Sequence, residues 1–308
     1  MVGWTCLSKS EMLIANKDTH MADNDDDGFQ GEHFEGLGNV WSAALGEAAD
    51  ITGHLRTVIQ DGVLKDNAVV KHTGIGRVAL LHEYPESGPI RAGALSVVME
   101  EEKFVSLWSA YPILEGASNS IVIDDRHTWG NGLEGTVAGH IASGPSVAFF
   151  DPYYFRESGQ FVKGAAVQID LAGLAFSLAK ADAKDIEITE GQFYTMELHR
   201  FLTENPEKKE SNFSPPVVTM RGARLLFSGT YVPEYTFQCP VLDIDQCSLL
   251  GMRFFRIQTV FAGRDESELC GFIYASEAIL NGYEPKRGDD VSGMLWMSGH
   301  ITTHSDTE

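Results

Sequence analysis

Catalysis needs acid, base or nucleophilic side chains held close together, and the densest such group in this chain is IDDRHTW, where Asp124, Asp125, Arg126 and His127 are consecutive. A carboxylate beside an imidazole can pass a proton, and the same two ligand types can share a divalent ion. That chemistry would make the chain a metal- or acid/base-dependent hydrolase with Asp124, Asp125 and His127 as its candidate catalytic groups. Successive side chains of a strand point to opposite faces, however, so one strand cannot make all four converge. A charged loop accounts for them equally well.

A second group is FFDPYYF, residues 149–155, with five aromatic rings around one Asp-Pro step and Arg156 directly after it. As a ligand-binding face it would use Asp151, Tyr153, Tyr154 and Arg156, with rings to stack and a cation to hold charge. As a structural element it would be the inside corner of a small barrel. Asp151 would then accept orphan backbone N–H groups, and Pro152 would open a turn or short helix.

The remaining motifs are poorer. HTGIG, from His72, lacks the third glycine of a dinucleotide loop, and no Gly-Lys-Ser/Thr follows to hold phosphate. GALSV around Ser96 lacks the second glycine of a nucleophile elbow. His300 and His304 in HITTH have helical spacing but no glutamate between them, and read as part of a polar tail. RGDD, residues 287–290, sits among glycines and a proline as a turn feeding the last strand. Cys6, Cys239, Cys247 and Cys270 form no C-x-x-C pair and read as reduced thiols. No pattern requires a metal or a cofactor.

The elements that must position these groups follow from punctuation and periodicity. MADNDDDGFQGEHFEG, from Met21, holds six acidic residues and only two phenylalanines, so an acidic disordered tail is expected over residues 1–37, and Met21 is a plausible true start. Residues 38–130 read as a mixed α/β region, with helices at NVWSAALGEAADI and EEEKFVSLWSAYPIL and strands at AVVKH, GRVALLHEY, GALSVVME and SIVIDD. GTVAGHI, SVAFFD and AAVQIDLAGLAFSL give a first β-rich half over 131–203. The stretch ITEGQFYTMELHRFLTEN suits a helix with Thr189 as its N-cap, or a strand. A linker or loop over 204–216, a second β-rich half over 217–301 and a short tail over 302–308 complete the chain. Trp296, alternating with Met294 and Ser298, is expected inside the barrel.

An offset of 124 residues lays AFFDPYYFRESGQFVKGAAVQIDLAGL without a gap on FIYASEAILNGYEPKRGDDVSGMLWMS. Phe155 then meets Ile279, Lys163 meets Arg287, Gly164 meets Gly288 and Val167 meets Val291. Aliphatic residues in the second copy favour the structural reading of the rings in the first. The fold class expected is mainly β (α+β), with two OB-like small β-barrel halves related by this internal repeat. The two segments also resemble an uncharacterised bacterial protein family with blocks of the form FFDxxYF and GYxPxxGDDxxGxLW. That resemblance spans roughly residues 132–301 and implies no activity; the likeness to OB-like barrels is one of fold alone.

Charge bounds the function. Forty-four acidic against 23 basic residues give a formal charge of −21, which repels phosphate backbones and anionic membranes and favours a basic protein partner. No apolar run reaches the length of a membrane span, and residues 1–20 do not read as a secretory signal, so a cytoplasmic location is expected. The reading that follows is a non-catalytic binding or scaffold protein with an acidic surface. The hydrolase centred on Asp124, Asp125 and His127 is one alternative, and an acidic DNA-mimic decoy of a DNA-binding protein is another.

Overall fold

The computed structural model describes residues 40–44, 46, 51–72, 75–99, 105–130 and 132–302. Every described residue belongs to one compact unit, within Glu32–Glu308. The expected tail over 1–37, the start at Met21 and all but Thr302 of the final tail lie outside the described residues.

Strands dominate. A helical stretch at 40–44 and helix α1 (Ile51–Asp61) precede an antiparallel sheet of four long strands in chain order, β1 (Val63–His72), β2 (Ile75–Tyr84), β3 (Ile90–Met99) and β4 (Val105–Leu114). Strand β4 corrects the helix expected in EEEKFVSLWSAYPIL. Pro112 cannot sit in a helix interior, whereas an edge strand tolerates its missing N–H, and Ser109 to Leu114 are all buried.

The second body of the unit is a closed five-stranded barrel of β5 (Ala117–Thr128), β6 (Gly135–Ile141), β7 (Ser146–Phe150), β8 (Ala166–Lys180) and β16 (Asp290–Ile301). Strand β5 pairs with β6 and with β8, β6 with β7, and β16 closes the ring by lying parallel to β7 and antiparallel to β8. The barrel therefore starts at Ala117, ahead of the boundary read at residue 131, and needs the last strand of the chain to shut. The same sheet extends outward through β15 (Leu269–Ser276), β14 (Met252–Ala262) and β13 (Asp243–Leu249) on one side. On the other it continues through β12 (Glu234–Pro240) and β11 (Leu225–Ser228).

The seam between β8 and β16 depends on close approach. A Cβ at Gly293 would lie 1.9 Å from the Ser177 carbonyl oxygen, so any side chain there would part the two strands.

Two separate cores result from strand alternation. Ile121, Val137, Phe149, Ile169, Leu295 and Met297 share one core, while Phe150, Leu174 and Trp296 share another with Leu95, Tyr111 and Ile113 of the four-stranded sheet. Trp296 thus lies with Phe150, their rings 6.1 Å apart, in the core away from its neighbours Leu295 and Met297. This corrects the expectation of an indole inside the barrel. Alternation had the period right, but Leu295 and Met297, not Trp296, hold the inward positions.

The mainly β class is as expected, but the architecture, one closed barrel with further strands on either side, does not confirm the repeat of two OB-like halves. Gly173 lies opposite Met297, 124 residues further on, but Phe150 pairs with Ser298 and Leu174 with Tyr274, at separations of 148 and 100. Gly164 and Gly288, just before β8 and β16, share left-handed φ angles of +81° and +86°. The flanks differ: β5 is one strand, whereas β12 and β13 are separated by Val241 and Leu242.

Between β8 and β11 the chain leaves the barrel as an arm. It contains β9 (Ile186–Glu187) paired with β10 (Val217–Val218), and helix α3 (Gly191–Glu204); the four-residue α2 (Tyr154–Glu157) follows β7. The N-cap of α3 is Glu190 with extended backbone, not Thr189. Tyr194, Leu198, Phe201 and Leu202 are half-buried along one side of the helix, and Phe213 packs edge-on against Tyr194 and at a tilt against Phe201. The stretch read as a linker, 204–216, is therefore the return leg of this arm.

Candidate functional site

The DPYYF turn is where the four-stranded sheet meets the barrel, and it gathers the densest set of buried polar groups described. Asp151 is fully buried; its backbone N–H bonds the Gly135 carbonyl, and its Oδ1 accepts the Tyr153 N–H at 2.8 Å. This is the turn that Asp-Pro favours, with the carboxylate satisfying an otherwise orphan amide. Burial, then the negative Glu157 nearby, hold the Asp151 carboxyl well above the usual carboxylate range.

Tyr153 reaches the other way, into the sheet. Its hydroxyl donates to Glu83 Oε1 at 2.8 Å and accepts from Arg91 Nη2 at 3.3 Å, while Arg91 Nε grips Glu83 Oε2 at 2.7 Å. Desolvation and the Glu83 carboxylate raise the Tyr153 hydroxyl, so it remains a donor. Arg156 lies over the Tyr153 ring, 4.7 Å from its centre, and pairs with buried Glu157, whose Oε2 accepts the Ile301 N–H at 2.9 Å. The His300 ring meets Tyr153 edge-on at 5.5 Å. Burial lowers the His300 pKa, with Arg91 and Arg156 adding to the effect against Asp170. Nearby, Tyr111 donates to the Pro152 carbonyl at 2.8 Å, and Ser109 donates to buried Glu134 at 2.7 Å.

Two guanidiniums, Arg91 and Arg156, pair with Glu83 and Glu157, and burial favours the neutral forms of Asp151 and His300. The rings of FFDPYYF form no open stacking face, because Phe149, Phe150, Tyr153 and Tyr154 are all buried. Phe149 and Tyr154 enter one core with Phe161, whereas Phe150 and Tyr153 enter the other. The turn is a rivet between two hydrophobic layers, with Arg156 alone of the four binding candidates reaching solvent to an appreciable degree.

Glu83, Arg91, Tyr111, Glu134, Glu157 and His300 could not be assigned to this cluster from sequence, since their separations along the chain carry no spacing signal. For His300 the tail assignment is corrected: it lies in β16, whose alternation runs on to Ile301.

The IDDRHTW residues are dispersed by a bulge in β5 between Ile123 and Asp125. Asp124 pairs with His140 of β6, its two oxygens 3.0 and 2.9 Å from Nδ1, at a half-buried position. Asp125 accepts the Arg126 N–H at 2.8 Å, and Asp125, Arg126 and His127 are exposed. The pairing partner of His127 is Thr136, two ladder steps from Ala138 opposite Asp125. No group of three or more His, Cys, Asp or Glu among the described residues is placed to hold a metal ion. The Cys239 thiol is pushed up to about 12 by burial and Cys247 to about 11, so neither is a poised nucleophile.

On the surface several basic side chains are paired within the chain, whereas others, among them Arg126, Lys163, Lys208, Lys209 and Arg287, are exposed with no ion pair among the described residues. Arg253 pairs with Glu277 and Glu284, Arg256 with Glu115 and Asp245, Arg224 with Glu268, Lys180 with Asp289 and Lys184 with Asp182. Exposed Asp185, Glu187, Glu190, Asp243 and Glu266 have no ion pair among the described residues. No helix among the described residues is long and apolar enough to cross a membrane.

Comparison with known proteins finds no matching family model, no matching curated protein and no matching solved structure, so the block resemblance noted in the sequence rests on its quoted residues alone.

Proposed function

We propose that this chain is a non-catalytic cytoplasmic binding or scaffold protein whose acidic surface engages a basic protein partner. One observation carries the reading: the chain has a formal charge of −21, several of its cations are drawn into intramolecular pairs, two of them with two carboxylates each, and exposed acids such as Asp185, Glu187 and Asp243 have no ion pair among the described residues. Such a surface attracts cations over a distance set by the Debye length, about 10 Å at 0.1 M salt, and raises association rates more than it raises final affinity.

The test is binding of the full-length chain to a soluble polylysine and to basic proteins captured from cell extract, at low and at moderate ionic strength. Affinity that falls steeply with salt supports the reading, and capture that ignores salt overturns it. Competition by duplex DNA for the captured protein would turn the reading towards the DNA-mimic decoy.

The hydrolase alternative keeps one supporting observation, the Asp124–His140 pair, in which the carboxylate can fix the imidazole tautomer. Its test is esterase and phosphatase assay of the native chain beside Asp124→Asn and His140→Ala. Turnover abolished in both variants would establish it, and the absence of turnover in all three would remove it.

A further inference from the structure

The arm between β8 and β11 is the part of the described surface that buries its residues least. No residue of α3 is buried, although the helix carries Phe193 and Met196, which are 47% and 58% exposed. The β9–β10 hairpin leading into it exposes Val217 at 61% on the face of Glu187 and Ile186 at 47% on the opposite face. Scattered exposed apolar residues are ordinary, but here they concentrate on one short excursion whose opposite side already has its own small core of Tyr194, Phe201 and Phe213. The helix is thus held in place from one side, leaving the other side free. Its exposed side, with Gln192, Thr195, Met196, His199 and Arg200, is an open surface on which Arg200 is already paired with Glu197 at 2.7 Å.

Charge decides what such a surface accepts. Asp185, Glu187 and Glu190 flank these apolar residues along the chain, exposed and with no ion pair among the described residues. Val217 pairs directly with Glu187 across the hairpin, and Glu190 is the N-cap of α3, three residues before Phe193. A second copy of this chain would bring the same carboxylates face to face, a like-charge contact that disfavours association. From Ile186 to Met196 the chain could span at most about 35 Å if fully extended, and less once helical, so a segment of about ten residues suffices to cover it.

We infer that the arm is the docking site for a basic amphipathic segment of a partner protein, its apolar side chains seated on Phe193, Met196 and the hairpin and its lysines or arginines facing Asp185, Glu187 and Glu190. This rests on the proposed function, which it makes specific by naming the site and the chemistry of the bound segment.

The experiment uses the full chain and three labelled synthetic peptides of about twelve residues, read by fluorescence anisotropy: one alternating Lys and Leu, one of equal positive charge built from Lys, Gly and Ser, and one alternating Glu and Leu. The Lys/Leu peptide should bind about tenfold or more tighter than either control. The double variant Phe193→Ser, Met196→Ser, made at exposed positions that the fold does not need, should lose that advantage while its affinity for the Lys/Gly/Ser peptide stays unchanged. The triple variant Asp185→Asn, Glu187→Gln, Glu190→Gln should weaken binding of the Lys/Leu peptide and flatten its salt dependence. Equal affinity of the Lys/Leu peptide for native chain and Phe193/Met196 variant overturns the docking site and leaves the acidic-surface reading standing. Equally tight binding of the Glu/Leu peptide also overturns it. Failure of both cationic peptides to bind the native chain overturns this inference and the proposed function together.

Discussion

Asp151 shows how a single buried acid can tie stability to pH. Its folded pKa is raised well above the unfolded value near 3.9, so its stabilising contribution is complete below about pH 4 and is lost as pH climbs through the raised value. Asp151→Asn keeps the oxygen that accepts the Tyr153 N–H and imitates the protonated acid. Between pH 4 and 8 the difference in denaturant midpoint, native minus variant, should fall as pH rises, the His300 contribution being common to both; parallel curves would refute the assignment. His300 works in the opposite sense, since its depressed pKa gives stability above the ordinary imidazole range that is lost as pH drops below about 6.5. Tyr153→Phe tests the rivet itself. It removes the hydroxyl shared by Glu83 and Arg91 in a nearly dry site, and should cost about 1–3 kcal/mol in equilibrium unfolding while leaving the two cores filled.

Elements were more legible in the sequence than sites, for a physical reason. Strands announce themselves through local alternation and glycine punctuation, and GTVAGHI, SVAFFD and AAVQIDLAGLAFSL all lie on strands of the barrel. The buried cluster has no such local signature: Glu83 and Tyr153 meet across 70 positions, and only closure of the four-stranded sheet onto the barrel brings them together. EEEKFVSLWSAYPIL misled because three leading glutamates imitate a helix start, while Pro112 carried the stronger veto. The turns before β8 and β16 allow the two-half reading to be tested at this scale. Gly164 and Gly288 both have left-handed φ and open space around the position a Cβ would take. Gly164→Ala and Gly288→Ala should therefore each cost about 1–2 kcal/mol, nearly equal, through backbone strain alone. Gly293→Ala, whose Cβ would strike the Ser177 carbonyl, should cost clearly more and loosen the seam, read as faster amide exchange along β8 and β16. Unequal costs at the two turns would argue that the halves are not equivalent.

For the molecule as a whole, the same charge must act on folding and on binding with opposite signs. At −21 the folded chain compresses like charges that the unfolded chain spreads out, so self-repulsion opposes the compact state. Raising ionic strength from about 0.02 to 0.5 M shortens the Debye length from roughly 20 Å to about 4 Å and relieves that repulsion, whereas it strips attraction from any complex with a cationic partner. The intramolecular pairs change this only slightly, because most, such as Arg253–Glu277 and Lys184–Asp182, are exposed and individually weak. Melting temperature measured across that salt range should therefore rise, while the affinity of the Lys/Leu peptide for the same preparation falls. The two trends must cross in sign if the unpaired carboxylates are the shared cause. A melting temperature that drops with salt would mean the surface pairs outweigh the net repulsion. A complex that tightens with salt would mean apolar contact alone holds the partner, and the acidic surface would lose its role in recognition.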